Sequence, residues 1–245
     1  MFDFDDQELT QRHTAGNASG GCDGAQFVDE AITSRRSVRG FTDQSVPRAL
    51  IEHLLLVAAR APSGTNMQPW RSYVLTGAAK QRLTARILEN RPETETRTWK
   101  YYPDEFPPLY KARRRKIGLD LYGLAGVEKG DAEGAQRQRD RNYEFFGAPV
   151  GIIFTISNEL EVGSWIDYGC FIQNIMTAAR AYGLHSCPQA IFSDVPTAVR
   201  SVVPMSDDEI VVCGLSVGYI DDSVDVNALE TERAPLEEWV DFIDT

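Results

Sequence analysis

The fold and function of this 245-residue chain are inferred from two stretches, SRRSVR at residues 34–39 and PSGTNMQPW at residues 62–70. The first places three arginines and two serines within six positions of a chain whose formal net charge is −11. Like charges at this spacing repel one another unless an anion lies between them, and guanidinium groups with nearby hydroxyls match phosphate oxygens. The pattern therefore predicts a phosphate site, with a solvated basic surface as the alternative.

The second stretch is typical of a loop that contacts a flat polar ligand. Asn66 and Gln68 each carry hydrogen-bond donors and an acceptor, which suits the edge of a heteroaromatic ring, and Gly64 lets a ligand approach the backbone. A plain surface loop is the alternative. No G-x-G-x-x-G fingerprint or P-loop lysine motif is present, so a nucleotide would have to be held in another way.

Composition narrows the class of protein. Apolar residues make up 42% and charged residues 25% of the chain, as in an ordinary globular protein. No run approaches the roughly 18 consecutive apolar residues of a membrane-spanning helix, and the acidic residues 1–6 are not typical of a signal peptide. The excess of acidic side chains argues against nucleic-acid or anionic-membrane partners. We therefore expect a cytoplasmic protein.

The cysteines are expected to be buried free thiols, because disulfides are rare in cytoplasmic proteins. They have no repeating spacing and stand at Cys22, Cys170, Cys187 and Cys213. His185 and Cys187 are two positions apart, but two ligands do not make a metal site, so no metal is predicted.

Helical and strand patterns alternate along the chain, which favours a layered α/β or α+β domain with helices over one sheet. Residues 1–25 are polar and glycine-rich and are predicted to be a flexible extension, and residues 26–245 one domain. Predicted helices cover residues 27–33, 47–61, 78–89 and 164–182, with a short one from 194, and predicted strands cover residues 70–75, 149–156 and 210–220. The helix at 164–182 is apolar nearly all round, so we expect it to be buried on several sides.

Residues 91–142 are too long for a simple connection and are predicted to be an excursion with its own helices. Aromatic side chains gather at its start, and such segments often cover active sites. A lid over a substrate and packing at a dimer interface are equally good interpretations of them. These candidate lid residues are Trp99, Tyr101, Tyr102 and Phe106.

Three motifs in this order resemble the FMN-dependent nitroreductase family. They are RRSVRGF at 35–41, APSGTNMQPW at 61–70 and RAPL at 233–236, and the resemblance extends from about residue 27 to residue 242. FFGAPVG at 145–151 and YGCFIQNIM at 168–176 are similar to the branch that reduces nitrobenzene and nitrobenzoates. The resemblance implies an α+β fold, in three α/β/α layers around a mainly antiparallel sheet, and an interlocked homodimer.

The resemblance also implies roles for individual residues. Residues that would grip the FMN phosphate and ribityl chain are Arg35, Arg36, Ser37 and Arg39, and Arg233 would complete this clamp. Residues that would meet the FMN of the other subunit are Pro62, Ser63, Gly64, Asn66 and Gln68. Residues that would lie beside flavin N5 are Pro188, Gln189 and Ala190.

The chain departs from the family pattern just before Arg233. Many relatives carry a second base there, whereas this chain has Glu230, Thr231 and Glu232. The distal end of the phosphate clamp is therefore expected to rest on Arg233 alone, with FMN binding retained.

The activity that the resemblance implies is ping-pong hydride transfer. A tightly bound FMN would take a hydride from NADH or NADPH and reduce a nitroaromatic or quinone-like molecule. Because the flavin carries the redox chemistry, no catalytic side chain is predicted. The alternatives are a flavoenzyme of the same scaffold that reduces an enone, dehalogenates an aryl halide or cleaves the flavin, and a non-catalytic FMN-binding protein.

Overall fold

The computed structural model describes residues 24–89 and 99–243. In these ranges, seven α-helices accompany one four-stranded sheet. The helices are α1 (Ala25–Thr33), α2 (Arg48–Ala58), α3 (Gly77–Glu89), α4 (Pro108–Leu124), α5 (Ala132–Tyr143), α6 (Val162–Ala181) and α7 (Pro196–Arg200). The strands are β1 (Arg71–Thr76), β2 (Val150–Ser157), β3 (His185–Gln189) and β4 (Glu209–Gly218). None of these helices is long and apolar enough to cross a membrane.

The sheet has the order β1-β2-β4-β3, and each neighbouring pair is antiparallel. Nearly every residue of the two central strands is buried, because helices cover both faces of the sheet. On one face, α2 and α6 pack on Ile152, Phe154 and Leu215. On the other face, residues of α3, α5 and α7 pack around Ile153. The predicted α+β fold with an antiparallel sheet between helical layers is confirmed.

Two glycines in the central strands allow a pair of aromatic rings to lie close to one face of the sheet. Phe145 and Phe192 stack with their ring centroids 4.6 Å apart. A Cβ added at Gly151 of β2 would lie 2.5 Å from Phe145, and one at Gly214 of β4 would lie 2.3 Å from Phe192. The aromatic pair therefore needs glycine in both central strands.

Two features differ from the sequence predictions. The strand β3 was not predicted, and it exists because it pairs with β4 from His185↔Gly218 to Gln189↔Gly214. The predicted burial of α6 on several sides holds for most of the helix but not for its first turns, where Val162 and Ile166 are 73% and 67% exposed. These two side chains belong to a face of α6 that no element of the same described chain covers.

The excursion does contain its own helices, α4 and α5. Residues 90–98 and nearly all of the predicted extension at 1–25 lie outside the described residues. Three cysteines are free thiols, of which Cys187 and Cys213 are buried and Cys170 half-buried, and Cys22 lies outside the described residues.

A buried carboxylate joins three strands at one end of the sheet. Glu209 of β4 accepts hydrogen bonds from the Tyr73 hydroxyl of β1 at 3.0 Å, from Ser206 Oγ at 2.9 Å and from the Thr155 hydroxyl of β2. Burial by itself raises the pKa of Glu209, but the hydrogen bonds from Thr155, Ser206 and Tyr73 outweigh burial and hold this pKa below its ordinary value.

Glu209→Gln is expected to lower the free energy of unfolding by about 1–3 kcal/mol at pH 7, because the amide cannot accept all of these hydrogen bonds. A lowered folded-state pKa stabilises the protein above the unfolded-state pKa of 4.5, and this stabilisation is lost as the pH falls through the folded-state value. Urea unfolding from pH 7 to 3 measures the difference between wild type and variant, which should shrink below about pH 4.5. Glu52→Gln, at a surface carboxylate paired with Arg48, is the control. A difference that stays constant over the whole pH range would contradict the prediction.

Candidate functional site

The Arg/Ser run leaves α1 and continues as an extended segment beside β3. Ser37 forms a parallel bridge with Ser186, and the Val38 N–H donates to the Ser186 carbonyl at 3.1 Å. Further along, the Thr42 N–H donates to the Tyr219 carbonyl at 3.0 Å. We call residues 35–39 the clamp segment. Its arginines are half-buried against the edge of the sheet.

The clamp segment concentrates positive charge around β3. Burial raises the pKa of the Cys187 thiol, while the charges of Arg39 and Arg35 oppose this rise. The positive charge of Arg36 helps to lower the pKa of the neighbouring His185. No ion pair between residues of the described ranges involves Arg35, Arg36 or Arg39. These arginines, which form no ion pair among the described residues, are a donor set that fits a phosphate group.

Sequence reasoning missed a fourth arginine beside this segment. Arg180, in the last turn of α6, donates to Ser34 Oγ at 3.2 Å and to the Leu184 carbonyl at 3.0 Å. Its Nη1 lies 2.8 Å from His185 Nε2. Burial, Arg180 and Arg36 together lower the pKa of His185 to about 4. The histidine is therefore neutral in the folded protein at pH 7.

The folded-state pKa of His185 lies below the unfolded-state value of 6.5. Between these two values the unfolded chain binds a proton at this histidine and the folded chain does not. The free energy of unfolding of the flavin-free protein is expected to fall by about 2 kcal/mol between pH 7 and pH 5 through this group. His185→Gln should flatten this slope in urea titrations. His53→Gln, at a half-buried histidine hydrogen-bonded to Tyr182, should keep it. An unchanged slope in His185→Gln would contradict the prediction.

The loop at residues 62–70 has strained backbone. Thr65, Asn66 and Gln68 have φ values of 51°, 61° and 51°, in the left-handed region that non-glycine residues rarely adopt. The Gly64 N–H donates to Asp167 Oδ2 at 2.9 Å, and the Gln68 N–H donates to Ser63 Oγ at 3.0 Å. The side chains of Asn66 and Gln68 are exposed. Strain held in place by specific hydrogen bonds is common at functional sites.

The four candidate lid residues form one aromatic ladder. Trp99 packs on Trp165 of α6 at 4.6 Å between ring centroids, and its Nε1 donates to the Val211 carbonyl at 2.8 Å. The β-bulge at this position of β4 interrupts the pairing with β2. Ring contacts continue from Trp99 through Tyr101 and Tyr102 to Phe106, and the Arg114 guanidinium lies over the last two rings.

The ladder and the loop both contact the first turns of α6, whereas the clamp segment lies at the other end of this helix. Trp165, which contacts the ladder, and Asp167, which holds the loop, lie in the first two turns of α6. Arg180, beside the clamp segment, lies in the last turn. The thirteen residue-to-residue steps of helix from 167 to 180 correspond to about 20 Å. One chain therefore does not bring the loop to its own clamp segment.

Residues 188–190 are the segment predicted to lie beside flavin N5. The side chain of Gln189 is buried in the protein. Ser216 Oγ donates to Gln189 Oε1 at 2.6 Å, and Gln189 Nε2 donates to the Asn142 carbonyl at 2.6 Å. Pro188 is exposed, and Ala190 begins a 3₁₀ helix whose first N–H groups have no partner within that helix. This segment can therefore offer a ligand its backbone but not the Gln189 amide.

Among the described residues, the hydrogen bonds of Arg233 go to its own neighbours in the chain and not to the clamp segment. Its Nη1 donates to the Thr231 carbonyl at 3.1 Å and to Thr231 Oγ1 at 2.7 Å. Glu232 pairs with Lys116 of α4 at 3.4 Å. Arg233 shares a pocket with three bases of α4, namely Arg113, Arg114 and Lys116. The expectation that Arg233 acts alone stays a prediction, and these bases of α4 line the same pocket.

In the described part of the chain, no group of three or more His, Cys, Asp or Glu side chains could hold a metal ion. The groups described above that could meet a ligand include the arginines and Ser37 of the clamp segment, the exposed amides of the loop, and the aromatic ladder at the other end of α6.

Comparison with known proteins matches residues 32–219 to the nitroreductase family model. The chain is 40% identical over 220 residues to a chloronitrobenzene nitroreductase of Comamonas testosteroni, covering 89% of this chain and 97% of that protein. It is 39% identical over 217 residues to a 4-nitrobenzoate reductase of Pseudomonas putida, covering 88% and 95%. The solved structure of the FMN-dependent nitroreductase NfnB from Mycobacterium smegmatis, in complex with NADPH, is similar with a TM-score of 0.86 and 32% identity, covering 90% of this chain and all of that one.

Proposed function

Because this chain belongs to the nitroreductase family, we propose that it binds FMN and uses NADH or NADPH to reduce nitroaromatic or quinone-like small molecules. The observation that carries the proposal is the clamp segment, whose half-buried arginines lack carboxylate partners among the described residues. The names of the relatives supply the substrate class.

The protein holds the cofactor by charge and shape. Arg35, Arg36, Ser37 and Arg39 bind the phosphate and ribityl chain, and Arg233 adds a cation from the distal end of the chain. When bound, FMN would supply two-electron redox chemistry between NAD(P)H and the substrate, and we propose a ping-pong order in which the nicotinamide leaves before the substrate binds. The backbone at Gln189 and Ala190 would face the reactive edge of the ring, where an N–H donor stabilises developing negative charge.

We infer that the working unit is an interlocked homodimer in which each flavin is held by two chains. The separation of about 20 Å between Asp167 and Arg180 supports this arrangement, because the loop is then free to serve the partner's clamp segment. Large apolar side chains that are exposed in the single chain supply an interface. They include Val162, Ile166, Trp239 and Phe242.

The aromatic ladder is the proposed lid over the substrate. It packs at the end of α6 that also holds the loop, and that loop would meet the partner's isoalloxazine ring, so we place the ladder within reach of a nitroarene bound on that ring. Flat rings suit such a contact, because offset stacking adds to the burial of apolar surface. We also propose a cytoplasmic location, where NAD(P)H is supplied and the free thiols stay reduced.

The test is a visible spectrum of the purified protein followed by anaerobic reduction. The protein is expected to be yellow, to bleach with NADH or NADPH, and to regain its colour with 4-nitrobenzoate. Recovery with a halophenol or an enone, but not with a nitroarene or quinone, would favour the other flavoenzyme activities. A yellow protein that neither nicotinamide bleaches would be a non-catalytic FMN-binding protein. A colourless protein that takes up no FMN would overturn the proposal.

A further inference from the structure

A buried asparagine outside every predicted motif binds the backbone of the clamp segment. Asn227 lies in the 3₁₀ helix Asp225–Ala228 and is 5% exposed. Its Oδ1 accepts from the Arg39 N–H at 2.8 Å. Its Nδ2 donates to the Gly40 carbonyl and to the Asp221 carbonyl, each at 2.8 Å. The amide thus uses its acceptor and both donors.

These bonds fix the direction in which Arg39 projects. Asn227 binds the N–H of Arg39 and the carbonyl of Gly40, so it restrains the φ and ψ angles of both residues, including those on either side of the Arg39 Cα. Gly40 is also packed tightly, since a Cβ there would lie 2.7 Å from the Val224 side chain. The Arg39 carbonyl accepts a further bond from Arg141 Nη2 at 3.1 Å. The Arg39 backbone is therefore bound on both sides by distant parts of the chain.

We propose that Asn227 is a positioning residue for FMN binding, which holds Arg39 where its guanidinium meets the phosphate. The proposal rests on the proposed function, in which Arg39 is part of the phosphate clamp. An arginine whose backbone is already ordered loses less conformational entropy when the phosphate binds. The positive charges of Arg39 and of the other arginines in the clamp segment repel one another, so an unrestrained segment would move Arg39 away from them. The bonds to Asn227 keep Arg39 close to the other arginines.

The test compares FMN with riboflavin, which lacks the phosphate. In Asn227→Ala, the dissociation constant for FMN is expected to rise about 10-fold, while that for riboflavin changes less than about twofold. Both constants are measured by fluorescence quenching on flavin-free protein. A role in folding alone would weaken the two flavins equally, and that result would overturn the proposal, as would an unchanged FMN constant.

The matched control is Asn174→Ala, which removes another asparagine side chain that bonds backbone, in this case the Ala58 carbonyl at 3.3 Å. It should leave the ratio of the two constants unchanged. If Asn227→Ala does not fold, Asn227→Ser, which keeps a small polar group, takes its place.

Arg39→Ala distinguishes a failure of the proposed phosphate clamp from a failure of the positioning role of Asn227. If it leaves the ratio unchanged, the phosphate clamp itself is wrong. If it raises the ratio of the FMN constant to the riboflavin constant and Asn227→Ala does not, only the positioning role is wrong.

Discussion

Replacing Arg35 and Arg39 together with alanine is expected to yield a folded protein that is purified without flavin. Each charge-assisted hydrogen bond to a phosphate contributes about 1.5–3 kcal/mol, so losing two arginines weakens FMN binding by at least about 100-fold. Turnover of NAD(P)H with a nitroarene should fall in proportion to flavin occupancy at low FMN. Flavin content by absorbance and the rate at increasing FMN concentration measure the two effects.

The control for this double variant is Arg48→Ala combined with Arg137→Ala. Both arginines lie on the surface beside carboxylates, at Glu52 and Glu133 respectively, and their removal lowers the chain's positive charge by the same amount. The control should retain its flavin. Full flavin content in the Arg35/Arg39 variant would show that the clamp segment is a solvated basic surface.

The parts of the fold that could be predicted are those whose signal is local. The central strands β2 and β4 are continuous apolar runs, and such runs mark strands that are covered on both faces. The strand β3 has no such run, because it contains His185, Ser186 and Pro188. It is an edge strand, where proline is tolerated, and its pairing with β4 outweighs its weak intrinsic preference.

The same distinction applies to the candidate site. The clamp segment and the loop could be found because their chemistry is concentrated in consecutive residues. Asn227 and Arg180 could not be found in this way, since they reach Arg39 and Ser34 across 188 and 146 residues of chain. A lone asparagine or a basic residue in the last turn of a helix carries no signal of its own. Only the tertiary structure joins them to the clamp segment.

The exposed face of α6 was mispredicted for a related reason. Apolar side chains favour burial, but the sequence does not say whether their own chain or another one would cover them. Val162 and Ile166 point away from the core of their own chain, on the same end of α6 that holds the loop. This face and the loop therefore have the same expected partner, a second copy of the chain.

A mixed dimer of two inactive variants is expected to regain activity. One chain carries the clamp variant Arg35→Ala/Arg39→Ala, and the other carries the loop variant Asn66→Ala/Gln68→Ala. If each flavin is held by the clamp segment of one chain and the loop of the other, the mixed dimer has one site with both defects and one site with none. Its rate per dimer should then reach about half that of wild type, because the two sites of a twofold dimer are equivalent. Purification through two different affinity tags isolates the mixed dimer for steady-state assay with NAD(P)H and a nitroarene.

The reciprocal dimer is the control, and it reverses the expectation. Here one chain carries all four substitutions and the other is wild type, so a site shared between chains leaves one defect in each flavin site and the dimer should be nearly inactive. If clamp segment and loop served the same flavin within one chain, this reciprocal dimer would keep about half of the activity and the first dimer would have none. The two dimers contain identical substitutions in total, so losses of stability or solubility affect both alike. Their difference in rate reports only which chain supplies the loop.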